Sequence, residues 1–281
     1  MNPDAIGRKL GDQVRLLCIG DIVGGPGRRV LAGQLPRLML DRAIDCNIVN
    51  VENAAAGSGL TPPMYDQFVK CGVHLMTLGD HVYRRRDIIP VLEKSDRIVR
   101  PANLAPGAPG REFAVWETSS GVRVAVLTLL GRMYMRMAAD CPFRAADRVL
   151  AVLPPDVKTV VVDFHAETTS EKIAMGWHLD GRVTAMVGTH THIPTADERV
   201  LPGGTAYITD MGMTGPYDSV LGRRKDRVLS AMVTSVPAPF DVAEGDVRLC
   251  GVIIEADPAT GRATSIERVR VDDIGSATGV G

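Results

Sequence analysis

Residues that could do chemistry recur in this chain at the ends of strand-like segments. Four of the six histidines lie in three short segments, and each segment closes a run of apolar residues typical of a β-strand. Two further runs of this kind end in carboxylates. Histidine nitrogen and carboxylate oxygen bind metal ions, and open α/β sheets place their chemistry at the C-terminal ends of strands. The candidate ligands on these segments are Asp21, Glu52, Asn53, Asp80, His165, His190 and His192.

Together these side chains suffice for a two-metal hydrolytic site, which needs a bridging carboxylate, neutral ligands and an activated water. Glu52 is the candidate bridge. His190 and His192 are separated by one residue, so their side chains point in directions that can serve different ions. His165 and Asp80 then complete one metal site, and Asp21 and Asn53 complete the other.

Each candidate ligand has a simpler interpretation when it is taken alone. A single Asp at a strand end is usually a helix cap, and a single His is usually a hydrogen-bonded polar residue. Convergence of candidates from five strand-like segments favours the metal site instead. His81 is left over beside Asp80, while His74 and His178 lack such neighbours and are placed outside the site.

The elements that must position these residues follow from periodicity. Apolar runs predict strands over 14–20, 46–51, 74–78, 159–164, 183–187 and 206–209, and hairpins over 112–130 and 247–271. Helical spacing predicts helices over 28–40, 63–69, 87–94, 144–153 and 170–178. Two sheets with helices outside both, a four-layer α/β/β/α sandwich in one domain, accommodate this order better than a single doubly wound sheet.

Composition limits the classes of protein and partner. We expect a domain over 14–274, a poorly ordered N-terminal extension over 1–13 and a C-terminal tail over 275–281. The net charge of −1 with dispersed basic residues argues against duplex nucleic acid, and no segment reaches the length of a membrane span. Five scattered cysteines without a C-x-x-C pair argue against a thiolate zinc site and favour the cytoplasm.

Two other segments are candidates for phosphate binding. The glycine-rich stretch 20–27 does not match G-x-G-x-x-G and lacks a Gly-Lys-Ser/Thr ending, so its glycines are interpreted as a tight turn beneath a metal ligand. Arg84, Arg85 and Arg86 could steer phosphate, but a run of this kind is more often a solvated face.

Several motifs resemble the calcineurin-like metallophosphoesterases, and specifically the YmdB-type family. They are Gly-Asp, Glu-Asn, Gly-x-His, Asp-Phe-His-Ala-Glu and Gly-Thr-His-Thr-His. The closest matches cover 51–55, 100–103, 163–172 and 209–218, and the resemblance runs from about Arg15 to the C-terminal hairpin.

This resemblance implies a four-layer sandwich with a dimetal centre, often iron or manganese, that hydrolyses phosphodiesters including cyclic nucleotides. One metal would be held by Asp21, Glu52, Asn53 and His192, and the other by Glu52, Asp80, His165 and His190. His81 matches the family's catalytic histidine that is not a ligand.

The chain departs from the resemblance at Asp80, where the family usually has Asn. In the wider superfamily a metal-binding His also stands where this chain has Val23, and the bridge is Asp rather than Glu, but YmdB-type proteins share both differences. With Asp80 ionised, three carboxylates and a bridging hydroxide neutralise two divalent ions. We expect tighter metal binding and weaker Lewis acidity toward an anionic phosphate.

The main hypothesis is hydrolysis of small phosphodiesters, by in-line attack of a metal-bridging hydroxide with His81 as general acid. The resemblance suggests 2′,3′- or 3′,5′-cyclic nucleotides as substrates, and the substrate-binding residues and oligomeric state are left open. The alternative is a metal-bound regulatory or nucleotide-sensing protein with incidental turnover. Phosphomonoesters or RNA form a third possibility, and RNA ranks last because aromatic residues make up only 4% of the chain.

Overall fold

The structure is a computed structural model and describes residues 13–273. The strands are β1 (Val14–Ile19), β2 (Cys46–Asn50), β3 (Leu75–Thr77), β4 (Ile98–Val99), β5 (Phe113–Glu117), β6 (Arg123–Leu130), β7 (Thr159–His165), β8 (Ala185–Thr189), β9 (Arg199–Val200), β10 (Ala206–Ile208), β11 (Gly215–Pro216), β12 (Val247–Ala256) and β13 (Ala263–Asp272). The helices are α1 (Gly24–Asp41), α2 (Pro62–Lys70), α3 (Ile89–Lys94), α4 (Pro142–Val152), α5 (Thr169–Leu179) and α6 (Lys225–Thr234). The tail expected over 275–281 and nearly all of the extension expected over 1–13 lie outside the described residues.

The first sheet has seven strands in the order β11-β12-β1-β2-β3-β4, with β13 paired to β12. Strands β1 to β4 are parallel, so their C-terminal ends meet at one edge. The antiparallel strand β12 pairs with β1 and forms the expected C-terminal hairpin with β13.

The second sheet has six strands in the order β5-β6-β7-β8-β10-β9. Strands β6, β7, β8 and β10 are parallel, and the antiparallel strands β5 and β9 close its two edges. The hairpin expected over 112–130 is formed by β5 and β6.

Alternate residues of the central strands face different hydrophobic layers, because successive side chains of a strand point to opposite faces. In β1, Leu16 and Cys18 enter the core between the two sheets, whereas Leu17 and Ile19 enter the core beneath α1. A third core lies between the second sheet and the helices α4 and α5. These layers confirm the four-layer α/β/β/α sandwich in a single domain.

Some elements differ from the prediction. The first helix begins at Gly24 rather than Arg28, and it contains Pro26 in its first turn, where backbone N–H groups have no partner within the helix. Helix α6 and the two-residue strands β4, β9 and β11 were not predicted. Such short strands are held by pairing with neighbours rather than by any local pattern.

Candidate metal centre

The seven predicted ligands come together where the parallel strands of both sheets end. In the first sheet, Asp21, Glu52 and Asp80 each follow a strand within three residues of its end. In the second sheet, His165 is the last residue of β7, and His190 directly follows β8. The remaining two, Asn53 and His192, lie in the same loops as Glu52 and His190.

Four of these side chains form one compact group: Glu52, Asp80, His165 and His190. One potential ligand atom from each lies within 4.8 Å of those of the others. His165 Nε2 is 3.1 Å from Asp80 Oδ1 and 3.2 Å from Glu52 Oε1. His190 Nδ1 is 3.0 Å from His165 Nε2 and 3.6 Å from Asp80 Oδ1. Asp80, which replaces the usual Asn, therefore points toward the group rather than away from it.

The second group shares Glu52 with the first and adds Asp21, Asn53 and His192. Asn53 Nδ2 lies 3.2 Å from Glu52 Oε1, 3.2 Å from His192 Nε2 and 3.4 Å from Asp21 Oδ1. His192 Nε2 is 3.8 Å from Asp21 Oδ1. The two groups thus meet at Glu52, which is the geometry expected for a bridging carboxylate.

The backbone is specialised to bring these side chains so close. A β-carbon on Gly79 would lie 2.3 Å from both the Glu52 carboxylate and the His165 ring, so only glycine fits between β3 and Asp80. His190 and His192 both have positive φ, at 93° and 66°. Non-glycine residues rarely adopt this conformation, and it persists only where surrounding contacts impose it.

Each of the three histidines directs one nitrogen into the groups and turns the other toward a partner outside them. His192 Nδ1–H donates to the Leu221 carbonyl over 3.2 Å, and His190 Nε2 lies 3.3 Å from the Glu167 carboxylate. The Thr189 hydroxyl donates to Asp163 at 2.6 Å, so its oxygen accepts from His165 Nδ1–H at 2.9 Å. Outward hydrogen bonds of this kind fix the tautomer of metal-binding histidines.

Asp163 lies beneath the site and joins the two sheets. Its carboxylate accepts hydrogen bonds from Asn50 of β2 at 3.0 Å, Thr77 of β3 at 2.5 Å and Thr189 of β8. The side chain is 1% exposed. This network aligns the strand ends that carry Glu52, Asp80 and His165.

A buried ion pair holds the loop that carries His190 and His192. Lys172 Nζ of α5 lies 2.7 Å from Asp210 Oδ2, and both side chains are fully buried. Lys172 also donates to the Thr189 carbonyl, and Asp210 accepts from both the backbone N–H and the hydroxyl of Thr191. The pair therefore fixes the residue before His190 and the residue between His190 and His192.

The electrostatics of the site favour bound positive charge. Burial raises the pKa of Asp21 to about 7, with Glu52 adding to the increase and His165 opposing it. Burial acts in the same direction on Glu52 and Asp80, but hydrogen bonding and charge from His165 outweigh it and hold the pKa of each well below its usual range. Burial lowers the pKa of His192, which leaves its imidazole neutral and suited to bind a cation.

His81 lies at the edge of both groups. Its Nδ1 is 2.7 Å from Asn53 Oδ1 and 3.3 Å from Glu52 Oε1, and its backbone N–H donates to Glu52 Oε2 at 3.2 Å. Burial lowers its pKa, but the carboxylate of Glu52 raises it more, and the net result is a pKa above the usual value. The side chain is 34% exposed, so Nε2 is the nitrogen left to meet a substrate.

The two histidines placed outside the site from sequence lie elsewhere in the fold. His74 stacks on Trp116, and His178 binds Asp147. Sequence reasoning missed the partners that orient the ligands, which are Glu167, Thr189, Asp163, Lys172 and Asp210. The motifs quoted for the family resemblance contain all five of these residues, and that was the one available signal.

The donor set fits two metal ions. It combines imidazole nitrogen with carboxylate and amide oxygen, which are ligands of divalent metal ions, and the group of four contains no thiolate. The described cysteines are all free of disulfides.

Among residues 13–273, no helix is both long and apolar enough to cross a bilayer.

Solved structures resemble this fold over nearly its whole length. A hypothetical protein from Thermus thermophilus is 39% identical, with a TM-score of 0.86 over 92% of this chain and 100% of that one. A structure described as a novel phosphatase from Mycoplasma pneumoniae is 32% identical, with a TM-score of 0.86 over 93% of this chain and 94% of that one.

Sequence relatives agree with the structural comparison. The 2′,3′-cyclic-nucleotide 2′-phosphodiesterase of Bacillus subtilis is 42% identical over 92% of this chain and 98% of its own length. A putative phosphatase/phosphodiesterase of Mycoplasma pneumoniae is 34% identical over 92% of this chain and 94% of its own length. These names support the phosphodiesterase class expected from the sequence. A family model described as YmdB-like protein matches residues 17–269, and the chain therefore belongs to the YmdB-like family.

Proposed function

We propose that this protein is a metal-dependent phosphodiesterase that hydrolyses 2′,3′-cyclic nucleotides. The observation that carries the proposal is the meeting of two groups of nitrogen and oxygen donors at one buried carboxylate, Glu52. The relative from Bacillus subtilis, which is 42% identical, is named for this substrate class, and that name favours 2′,3′- over 3′,5′-cyclic nucleotides.

The proposed ligands of one metal are Glu52, Asp80, His165 and His190, and those of the other are Asp21, Glu52, Asn53 and His192. Two bound cations supply an activated water nucleophile and neutralise charge on the phosphoryl oxygens. Iron or manganese is proposed because the family resemblance implies these metals, and imidazole and oxygen ligands bind both. His165 and His192 are held in place by hydrogen bonds to Thr189 and to the Leu221 carbonyl, and His190 by its contact with the Glu167 carboxylate.

His81 is the proposed general acid for the leaving alkoxide. A cation is bound by the oxygen of an amide and not by its NH₂ group, and Asn53 Oδ1 has two lone pairs, one for a metal and one for a hydrogen bond from His81. Glu52 raises the pKa of His81, and as a general acid the imidazole is protonated on both nitrogens. Its Nδ1–H then donates to Asn53 Oδ1 at 2.7 Å, and Nε2–H faces outward. The exposed nitrogen is thereby the one that delivers a proton to substrate.

Asp80 sets the proposed balance between metal retention and reactivity. Its Oδ1 lies 3.1 Å from His165 Nε2, so its negative charge stands within the proposed ligand set. This proximity also favours a second candidate function, a metal-bound nucleotide sensor with slow turnover, because added negative charge binds cations more tightly and weakens their attraction for phosphate.

The test is turnover by purified protein loaded anaerobically with iron or manganese. We expect 2′,3′-cyclic AMP to be opened to a nucleoside monophosphate, with activity lost after chelation and restored by metal. A screen should include 3′,5′-cyclic AMP and an aryl phosphodiester. Turnover too slow to matter at cellular nucleotide concentrations, with tight nucleotide binding retained, would favour the sensor. A cytoplasmic location remains a prediction from the sequence, and the oligomeric state remains open.

A further inference from the structure

The loop 131–139 has no role in the proposed metal centre, yet it leaves the second sheet beside it. Leu130 pairs with His165 at the ends of β6 and β7, and Gly131 N–H donates to the His165 carbonyl at 3.0 Å. The loop therefore starts at the level of a proposed metal ligand, on the edge of the sheet where the site opens.

Two buried polar side chains hold this loop in place. Asn103 joins the two ends of the loop. Its side chain accepts from Leu130 N–H at 2.8 Å and donates to the carbonyls of Leu130 and Asp140 at 2.8 and 2.9 Å. Glu171 accepts from the backbone N–H groups of Arg132 and Met133 at 3.0 to 3.3 Å. Asn103 belongs to the motif 100–103, which contains no proposed ligand, and Glu171 belongs to the motif 163–172.

The tip of the loop presents an aromatic ring to solvent. Tyr134 is 84% exposed and has a φ of 60°, a conformation that is uncommon for residues other than glycine. Met133 beside it is 49% exposed, and Arg132 and Arg136 are also exposed. Met135 and Met137 pack instead against the core beneath the first sheet. The loop is thus anchored on both sides, and the Tyr134 side chain is exposed to solvent.

We propose that the loop 131–139 is the base-binding element of the site, with Tyr134 stacking on the nucleobase of the substrate. This inference rests on the proposed function and adds the residue that reads the substrate. A tyrosine ring offers a large flat surface to a base at low entropic cost, and the neighbouring arginines suit an anionic ligand. Anchoring by Asn103 and Glu171 fixes the loop beside the end of β7, the strand that carries His165.

The test compares a substrate with a base and one without. We expect Tyr134→Ala to raise KM for 2′,3′-cyclic AMP about 10-fold, within the range for loss of one base–aromatic stack. Its kcat, and its kcat/KM for glycerol 1,2-cyclic phosphate, which has no base, should stay within about twofold of wild type. Equal losses on both substrates would overturn the inference.

Two control variants separate stacking from other effects. Tyr134→Phe keeps the ring and should retain the wild-type KM for 2′,3′-cyclic AMP, so a loss as large as that of Tyr134→Ala would contradict stacking. Trp177→Ala removes another exposed aromatic ring, 53% exposed, at the far end of α5, and should change nothing.

Binding of 3′-AMP to the metal-loaded protein gives a readout that does not depend on turnover. Tyr134→Ala should weaken 3′-AMP about 10-fold and leave inorganic phosphate unchanged. If wild type hydrolyses neither cyclic phosphate, the proposed function fails, but selective loss of 3′-AMP binding still supports the loop's role. Unchanged 3′-AMP binding in Tyr134→Ala overturns that role even if wild type is an active phosphodiesterase.

Discussion

Removal of Lys172 should destabilise the protein because it leaves Asp210 charged, buried and unpaired. Both side chains are fully buried, and the charged atoms lie 2.7 Å apart. At an effective dielectric constant of about 20, their attraction is about 6 kcal/mol, which offsets the cost of removing both charges from water. We expect Lys172→Met to lower the free energy of unfolding by roughly 3 to 5 kcal/mol.

Denaturant unfolding of metal-depleted protein measures this loss without a contribution from metal binding. The double variant Lys172→Met/Asp210→Asn should be less destabilised than Lys172→Met, because a neutral amide replaces the stranded carboxylate. Arg37→Met is the matched control, since Arg37 pairs with Asp41 on the surface at 78% and 58% exposure and should change stability by less than about 1 kcal/mol.

The outcome that would refute this reasoning is a Lys172→Met variant as stable as the Arg37→Met control. Equal stability of Lys172→Met and the double variant would also contradict it, because the stranded charge would then cost nothing. The ion pair fixes the loop that carries His190 and His192 by hydrogen bonds. The loss of stability in Lys172→Met should therefore be accompanied by weaker metal retention.

Three further variants test individual roles in the site. Asp80→Asn should raise turnover on phosphodiesters and weaken metal retention against a chelator, when it is compared with wild type at full metal loading. No change in either quantity would exclude the proposed electrostatic role of Asp80. His81→Ala should keep its metal and slow hydrolysis of substrates with poor leaving groups by roughly 10²- to 10⁴-fold, with a smaller loss on an aryl phosphodiester; loss of metal, or equal losses on both substrates, would remove His81 from the acid role. Thr189→Val removes the acceptor of His165 Nδ1–H and should weaken metal affinity roughly 10- to 100-fold in chelator competition, whereas wild-type affinity would show that this hydrogen bond does not orient the ligand.

The fold was predictable where the sequence pattern is local and repeated. The strands β1, β2 and β7 are apolar runs bounded by turns, and nearly all of their residues are buried because both faces of their sheets are covered. By contrast, β4 and β11 have two residues each, and their pairing depends on strands distant in the sequence. Helix α6 has Val228 as its one buried residue, so it lacks the apolar stripe that predicts a helix.

The convergence of the site was predictable because residues at the C-terminal ends of parallel strands share an edge. Asp21, Glu52 and His165 were found by that rule. The outward contacts of His190 and His192 were not predictable, because Glu167 and Leu221 meet these histidines through loop geometry that no spacing encodes. Asn103 joins the two ends of the loop 131–139, and this hydrogen bonding likewise depends on a contact between segments distant in the sequence.

The most direct test of the account is anomalous diffraction from crystals of the protein loaded with manganese. The account predicts two metal peaks per chain, about 3.5 to 4 Å apart as in other two-metal sites, on either side of Glu52. One peak should contact Asp80, His165 and His190. The other should contact Asp21, Asn53 and His192. A single peak at full loading, or a metal bound away from Glu52, would contradict the two-metal centre.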